Sequence, residues 1–589
     1  MNASTASGAA ERFIGRRVRR KEDARLLVGR GTFTDDVILP GMLHCAFVRS
    51  PIARGIIKSI DTAVAREQPG VVSVFTAEEL ATIPAYVALS YFMTPPPFTQ
   101  VHPLASGRAA YVGDPVAIVI AQDRYLAEDA ASLVEVEYEE QQPIVTIGDA
   151  RMGEAIHPEL PDNVAATTGE SELDAELRSI FANAHKVVSR TVTHHRTTHS
   201  PIETRAIIAS PNGEHDLTVY VGCQSPQTAA RQISAALNMP DKNIRVISRD
   251  VGGSFGLKGS IWREEYAVIV AALLLRRPVK WIEDRLENLT AANQTREQEC
   301  TLTVAFDENA RLLGSHMLFE QNDGAFPTTL DNNMAIPMFM WGAYKMPKYG
   351  FKTTGYHSNT VGIAPYRGPW AMESLARETL LDIAAREFGI SPVEIRQRNL
   401  VKASDQPTTS VMGFPIEDIR PYECLELLLQ NIDVAAFRRE QAAARKDGRL
   451  LGLGIATYIE PTVVAMPSTK SDIAQIRIEP SGAVSAVLST HSQGHGTETT
   501  MTQVIADTLG IPMETITVHE SDSAQGGYGI GAGGSRQAIT GGGASIRASR
   551  MLVDKIKAIA AHLSNSSIEQ VSIVSGRVQI EGVPEMDRS

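Results

Sequence analysis

Hydrophobic and polar positions follow two periods along this chain, and each period marks out elements. Short apolar runs at Met42–Arg49, Val71–Phe75, Pro115–Ala121 and Val134–Tyr138 predict strands. Apolar residues at helical spacing over Arg124–Leu133 predict a helix between the last two. From Lys186 the alternation Val188, Ser189, Arg190, Thr191, Val192 begins another strand. The β-branched run Ile244–Ile247 predicts a strand and the mostly apolar Trp262–Leu275 a buried helix. Leu380, Ile383, Ala384 and Phe388 line one face of a helix that stops at Gly389. Ser391-Pro392-Val393-Glu394 then supplies an N-cap, an N1 proline and a capping-box acid for the next helix. Near the end, Ala548–Leu563 predicts a helix, and Val571–Ser575 with Arg577–Glu581 a hairpin.

These elements group into a mixed α+β and α/β multidomain chain. Residues 15–150 read as an α/β unit, 151–175 as a polar linker rich in Pro and Gly, 180–430 as a first lobe and 450–589 as a second. An internal echo makes the lobes alike. Ala236-Leu237-Asn238-Met239-Pro240 precedes Ile244-Arg245-Val246 and Asp250. Thr508-Leu509-Gly510-Ile511-Pro512 precedes Ile516-Thr517-Val518 and Asp522, at one offset (512 − 240 = 272; 522 − 250 = 272). Residues 430–450, rich in Arg and Ala, read as an exposed helix and connection.

Length and composition sharpen this only a little. At 589 residues the chain exceeds one core, since single cores stop growing at roughly 250–300 residues. A formal charge of −12 disfavours nucleic acid as partner. Four scattered cysteines, without C-x-x-C, disfavour a disulfide framework or an iron–sulfur cluster on this chain, and suit a reducing cytoplasm. The N-terminus shows no apolar signal region, and no apolar run approaches the roughly 20 residues of a membrane span. The basic cluster Arg16–Lys21 reads as a solvated face.

The candidate chemistry centres on Arg249-Asp250-Val251-Gly252-Gly253-Ser254-Phe255-Gly256-Leu257-Lys258. Between a strand and a helix, such a turn lets backbone N–H groups approach an anion or oxo ligand, with the helix N-terminus favouring negative charge. The glycine spacing fits neither the P-loop nor the dinucleotide fingerprint. His195 and His199 have i, i+4 spacing that suits a metal on a helix, but their surroundings read as extended chain.

Further motifs accompany the turn: Val221-Gly222-Cys223-Gln224-Ser225-Pro226, Ala364-Pro365-Tyr366-Arg367-Gly368, Ser492-Gln493-Gly494-His495-Gly496 and Tyr528-Gly529-Ile530-Gly531-Ala532-Gly533-Gly534-Ser535-Arg536. In this order, from about Gly15 to the last residues, the chain resembles the molybdenum-binding large subunit of the xanthine dehydrogenase/aldehyde oxidase family. The resemblance implies a hammerhead-like α/β domain carrying Gly31-Thr32-Phe33-Thr34-Asp35-Asp36 and Tyr111-Val112-Gly113-Asp114-Pro115-Val116, followed by two molybdopterin-binding lobes, the second incomplete. It implies a molybdenum held by a pterin dithiolene, with no protein metal ligand, in the cytosine dinucleotide form. Gln224 then faces the metal's oxo group. Gly253, Phe255 and Gly256 lie beside the metal, and Arg367 sits in a turn close to it. Gln493, Gly494 and His495 hold the pterin and phosphates, and Gly533, Gly534, Ser535 and Arg536 cradle the dinucleotide. The family further implies an iron–sulfur small subunit and an FAD-binding medium subunit as partners.

Departures from the family pattern narrow the activity. Gly368 stands where the family's carbon monoxide dehydrogenases carry a cysteine, and Gly259 where xanthine-specific members carry a glutamate. The family's base glutamate, in Gly-x-Gly-Glu, is not found before Ser589, and Glu581 and Glu585 lie in the wrong context. The expected activity is hydroxylation of an aldehyde or aromatic N-heterocycle C–H with oxygen from water, the base coming from another chain. The alternatives are an inactive truncated fragment that only binds cofactor or partners, and a zinc hydrolase using His195, His199, His491 or His495. The Met- and aromatic-rich Met334–Trp341 reads as core, or as the wall of an apolar substrate funnel.

Overall fold

The structure is a computed structural model that describes residues 12–81, 101–211, 216–329, 332–366, 368, 370–460, 462, 472–525, 527–574 and 576–582. A seven-stranded mixed sheet runs in the order Ile244–Ile247, Leu217–Val221, Ala206–Ser210, Val279–Ile282, Leu43–Arg49, Pro115–Ala121, Val71–Thr76. It crosses the boundary expected near residue 150, because Leu43 and His44 pair in parallel with Val279 and Lys280. Pro115–Ala121 is buried at every position, which is why it reads as an unbroken apolar run. The helix Arg263–Leu275 packs on this sheet with all residues from Arg263 to Ala272 buried.

A five-stranded sheet follows, in the order Val164–Gly169, Tyr349–Tyr356, Leu312–Asn322, Thr295–Phe306, Lys186–Thr197, with the helix Ala371–Phe388 packed against it. The stretch 151–175 is therefore not a plain linker. Val164–Gly169 is a sheet edge, paired antiparallel with Tyr349–Tyr356. Polar composition misled because Asn163 is buried and spends its amide on Ile156 N and Ala150 O. Ser391 caps the helix Pro392–Asn399 as expected, while Glu394 turns to Arg398 instead of closing the capping box.

The second lobe is a three-stranded sheet, Ala474–Ile478, Val484–Leu488, Ile516–His519, covered by the helices Thr497–Leu509 and Gln537–Ser564. The echo is real in three dimensions. Pro226–Leu237 and Thr497–Leu509 both end on a left-handed cap, Asn238 and Gly510, again 272 apart (510 − 238 = 272), and each leads through a 3₁₀ turn into its strand. The last long helix starts at Gln537, eleven residues before the expected Ala548 (548 − 537 = 11), and includes Gly541 to Gly543. Gly541 is used for close packing: a Cβ there would overlap the Thr490 side chain.

The N-terminal stretch is a strap that keeps the expected solvated basic face, since Arg16, Arg17, Arg19 and Arg20 are exposed. Phe13 and Ile14 amides bind the Asp507 carboxylate, Lys21 N donates to Thr499 Oγ1 at 2.8 Å, and buried Glu22 accepts from Thr499 N at 3.1 Å. Arg20 Nη2 donates to Gly494 O at 3.0 Å. Among the described residues no helix is long and apolar enough to cross a membrane.

A buried charge cluster pins the first sheet to its helix. Arg205 pairs with Glu264 at 2.9 Å and Glu283 at 2.6 Å, and Arg49 joins Glu264 to Glu287. Arg205 is 1% exposed, so its carboxylates have little water to fall back on. Replacing it, as in Arg205→Met, strands buried negative charge and should cost about 3–5 kcal/mol, read as a lower urea midpoint. An unchanged midpoint would show that the cluster contributes nothing to stability.

Candidate active site

The turn after Ile244–Ile247 is built by close backbone approach. Gly253, Phe255 and Gly256 have φ of +98°, +59° and +114°. A Cβ on Gly256 would overlap the carbonyl oxygen of Pro365, so the turn at 252–258 and the turn at 365–368 meet backbone to backbone only because residue 256 has no side chain. Glu203 holds the start of the turn: its Oε2 accepts from Gly252 N at 2.9 Å and from Lys258 Nζ at 2.7 Å. Burial pulls the Lys258 ammonium below its ordinary pKa, and Glu203 opposes the shift. The turn does not run straight into a helix N-terminus, as expected from sequence. A 3₁₀ turn, Leu257–Gly259, intervenes, and the helix end at Trp262 N is occupied by Glu265 at 2.8 Å. Burial raises the Glu265 carboxyl to about 8.

Gln224 lies in the loop between Leu217–Val221 and the helix Pro226–Leu237, held there by Ser225 as N-cap. Its Oε1 accepts from Gly256 N at 2.9 Å and from Ser254 Oγ, and its Nε2 donates to Ala532 O at 2.8 Å. Its backbone N donates to Lys258 O at 2.9 Å, and its carbonyl accepts from Ala532 N at 3.1 Å. A Cβ on Gly531 would overlap that same carbonyl. One residue thus joins the Gly-rich turn of the first lobe to the Gly-rich loop of the second.

In that second loop Gly533, Gly534 and Ser535 are exposed, with φ of +59° at Gly534 and +54° at Ser535. Arg536 points the other way. Its guanidinium is buried on Asp472 at 3.0 Å and on Gly531 O at 3.1 Å, so it anchors the cradle from behind. The Ser492–Gly496 loop precedes the helix Thr497–Leu509, with Gly494 at φ +99°. Gln493 Nε2 donates to His491 O at 2.9 Å, and His495 Nε2 donates to Gln537 Oε1 at 2.7 Å. His491 joins the lobes between Ser248 Oγ at 3.0 Å and Ser521 Oγ at 2.8 Å. Burial, and then the neighbouring His495, lower it to about 3.

The site thus brings together Gln224, Gly253, Phe255 and Gly256, with Gly533 to Arg536 tied on through Gln224. Gln493 and His495 connect through His491. Arg367 lies outside the described residues, while Pro365, Tyr366 and Gly368 flank it. The zinc alternative finds no ligand set: among the described residues no group of three or more His, Cys, Asp or Glu side chains could hold a metal. His195 lies on the strand Lys186–Thr197, and His199 Nε2 donates to Pro365 O at 2.8 Å. Met334–Trp341 is core, as Ala335, Ile336, Met340 and Trp341 are buried in one cluster. Sequence reading missed Glu203 and Arg296, which stand outside the glycine motifs and which only the fold brings to the site. It quoted Ser254 and Lys258 in the turn without giving them a role, and weighed His199 only as a zinc ligand.

These residues fit a molybdopterin. The site offers exposed left-handed turns and backbone cradles that a side chain would fill. It offers no thiolate: Cys223, next to Gln224, is buried, and burial pushes its thiol up to about 12. The pterin carries its own sulfur ligands. Gly256→Ala should strain the turn by roughly 1–3 kcal/mol and lower the molybdenum content of the purified protein severalfold. Retained content would mean that the contact with Pro365 is dispensable.

Two residues before Pro365, Ile363 N donates at 3.2 Å to the backbone carbonyl of Asp323, a buried carboxylate. Gln321 donates to its Oδ1 at 2.5 Å, while its Oδ2 has no hydrogen-bond partner. Burial raises the carboxyl from 3.8 to about 7. A folded-state pKa above the unfolded value means that the fold loses this share of stability as pH rises from about 4 to about 7, and no more beyond. Asp323→Asn should therefore melt higher than the unaltered chain at pH 8, with the gap closing near pH 4. A variant that melts lower at pH 8 would show the ionised carboxylate to be stabilising.

Comparison with known proteins agrees with this geometry. Models described as molybdopterin cofactor-binding domain match residues 156–400 and 427–589. The model described as aldehyde oxidase and xanthine dehydrogenase, a/b hammerhead domain, matches residues 28–142. The chain is 35% identical to the nicotine 6-hydroxylase large subunit of Paenarthrobacter nicotinovorans, over 97% of this chain and 72% of that protein. It is 33% identical to the carbon monoxide dehydrogenase large chain of Hydrogenophaga pseudoflava, over 95% and 73%. The solved quinoline 2-oxidoreductase of Pseudomonas putida 86 superposes with a TM-score of 0.91 at 34% identity, over 98% of this chain and 75% of that one. The chain therefore spans about three quarters of the length of these relatives. The loops joined by Gln224 and these matches together place the chain in the xanthine dehydrogenase/aldehyde oxidase family of molybdenum hydroxylases, as a molybdopterin-binding large subunit.

Proposed function

We propose that this subunit hydroxylates a C–H carbon of an aromatic N-heterocycle or an aldehyde, with water as the oxygen source. The observation that carries the reading is Gln224, whose amide spans the two Gly-rich loops and fixes a single seat between the lobes. When bound, molybdopterin supplies the two-electron redox and oxygen-transfer chemistry. The chain's own task is to hold and orient it. Gly253, Phe255 and Gly256 present backbone on one side, with Arg367 assigned to the same side. Gln493, Gly494 and His495 take the pterin and phosphates. Gly533, Gly534 and Ser535 take the dinucleotide, in the cytosine form, with Arg536 bracing that loop through Asp472.

Glu203, beside the turn, is engaged by Lys258 and the Gly252 amide. The heterocycle is favoured over the aldehyde because relatives named for nicotine and quinoline chemistry match over nearly the whole chain. Gly368, which carries no thiol, disfavours carbon monoxide as substrate. In this reading electrons leave through an iron–sulfur small subunit and an FAD-binding medium subunit; relatives named as a large subunit, a large chain and a complex subunit gamma support an assembly of several chains. A cytoplasmic setting suits the free cysteines, three of them buried.

The test is isotopic. The complex, purified with its partner subunits, is offered quinoline, nicotine and benzaldehyde in ¹⁸O-water with an artificial electron acceptor. The account expects hydroxylated heterocycle carrying ¹⁸O, and loss of molybdenum from a Gln224→Ala complex. A complex loaded with molybdenum that converts none of these, or product with oxygen from O₂, would count against the reading. In the first case an inactive cofactor-binding chain becomes the better description.

A further inference from the structure

The strand Thr295–Phe306 holds two consecutive residues, Arg296 and Glu297, at φ +68° and +60°. Neither is glycine, and a Cβ crowds the backbone in this region. Such strain persists where the surrounding contacts over-determine it, and it clusters at sites where a side chain must be aimed.

The contacts here lead to the turn at 365–368. Glu297 pairs with Arg196 at 2.7 Å and accepts from Asn322 Nδ2 at 2.9 Å. Arg296 reaches a different target: its Nη2 donates to Tyr366 O and its Nη1 to Gly368 O, each at 3.2 Å. Its Cζ lies 5.6 Å from the centre of the Tyr366 ring. The residue is 6% exposed, and burial pulls its guanidinium below the ordinary pKa. A buried cation is costly to desolvate, so a position that keeps one is using its directed hydrogen bonds.

Four further contacts fix the same turn and the stretch of chain that leads into it. His199 sets its ring edge-on to Tyr366, with centroids 5.1 Å apart, and its Nε2 donates to Pro365 O. Burial lowers His199 to about 4, which keeps the ring neutral at ordinary pH. Along the approach, Gln294 N donates to Gly362 O at 3.1 Å and Ala364 N to Gln294 O at 2.8 Å. Pro365 O is also the atom that a Cβ on Gly256 would overlap. The chain of contact therefore runs from Arg296 and His199 through the turn's carbonyls to the backbone of the Phe255–Gly256 cradle.

We propose that Arg296 is a positioning residue of the molybdenum site: its left-handed backbone aims a forked guanidinium at the carbonyls of Tyr366 and Gly368 and so seats the turn against Gly256. The inference rests on the reading of that turn as one side of the cofactor's seat. Arg296 acts through the backbone of Tyr366 and Gly368. Lysine does not substitute, because a single ammonium lacks the planar fork that spans two carbonyls.

The test compares the holoenzyme, assembled with its partner subunits, with its Arg296→Gly and Arg296→Lys forms. Glycine adopts the positive φ freely, so R296G removes the clamp without adding strain, and the lysine form keeps a cation in place if R296G folds poorly. Amide exchange across residues 362–370 should speed up about tenfold or more in both variants. The kcat should fall about ten- to a hundredfold with KM changed less than about twofold, as expected when geometry rather than binding is lost. Molybdenum content should stay near that of the unaltered enzyme. Exchange and kcat within about twofold of the unaltered enzyme in both variants would overturn the proposal. So would exchange that quickens across the whole chain rather than at the turn, which would make Arg296 a plain stability residue. An unaltered complex without molybdenum would instead sink the functional reading, and the exchange comparison on that same protein would still decide whether Arg296 holds the turn.

Discussion

The side-chain amide of Gln224 is the interaction on which the rest of this molecule depends. A primary amide has an acceptor end and a donor end, and here each end is given to a different lobe. The acceptor takes the Gly256 amide and the Ser254 hydroxyl; the donor takes the Ala532 carbonyl. This works only if both Gly-rich loops come to within hydrogen-bond reach of one residue. Gly256 against Pro365 O and Gly531 against Gln224 O are the points where a Cβ would hold them apart. The glycines are fixed by distance as much as by turn geometry.

Around that contact the lobes are sewn together by backbone. Ser248 N donates to Ser521 O and Ser523 N to Val246 O, both at 2.9 Å, and Arg245 pairs with Asp522 at 2.6 Å. His491, held neutral by burial, bridges two serines across the seam. Asp250, the counterpart of Asp522, faces outward to the strap instead, taking the Thr32 amide at 2.8 Å and the Arg25 guanidinium. The related aspartates of the two lobes thus do different jobs, one closing the seam and the other fastening the N-terminal strap.

Much of this was legible in the sequence, for physical reasons. Buried strands such as Pro115–Ala121 and Ile244–Ile247 leave unbroken apolar runs, and the repeated Pro, β-run and Asp spacing marked two related lobes. Glycine motifs named the loops because close backbone approach demands glycine. What stayed hidden depends on tertiary partners. The strand Val164–Gly169 has a polar sequence that a sheet edge tolerates. The helix from Gln537 carries three glycines, which read as a loop until Thr490 is seen against Gly541. The sheet shared between the first α/β unit and the first lobe is a long-range pairing with no local signature. The basic run Arg16–Lys21 is solvated as read, with Arg16, Arg17, Arg19 and Arg20 exposed, but its fastening to Gly494 O and Thr499, 474 and 478 residues away, has no local signal. Arg296 carries no motif at all; its meaning is in a backbone angle.

The most direct test of the central claim is anomalous X-ray scattering at the molybdenum edge from crystals of the assembled enzyme. The account predicts one molybdenum peak per copy of this chain, at the junction of Gln224, the Phe255–Gly256 turn and the Pro365–Gly368 turn, with cofactor density running on toward Gln493–His495 and Gly533–Ser535. A peak elsewhere in the chain, or full occupancy with the two Gly-rich loops apart and Gln224 turned to solvent, would contradict it.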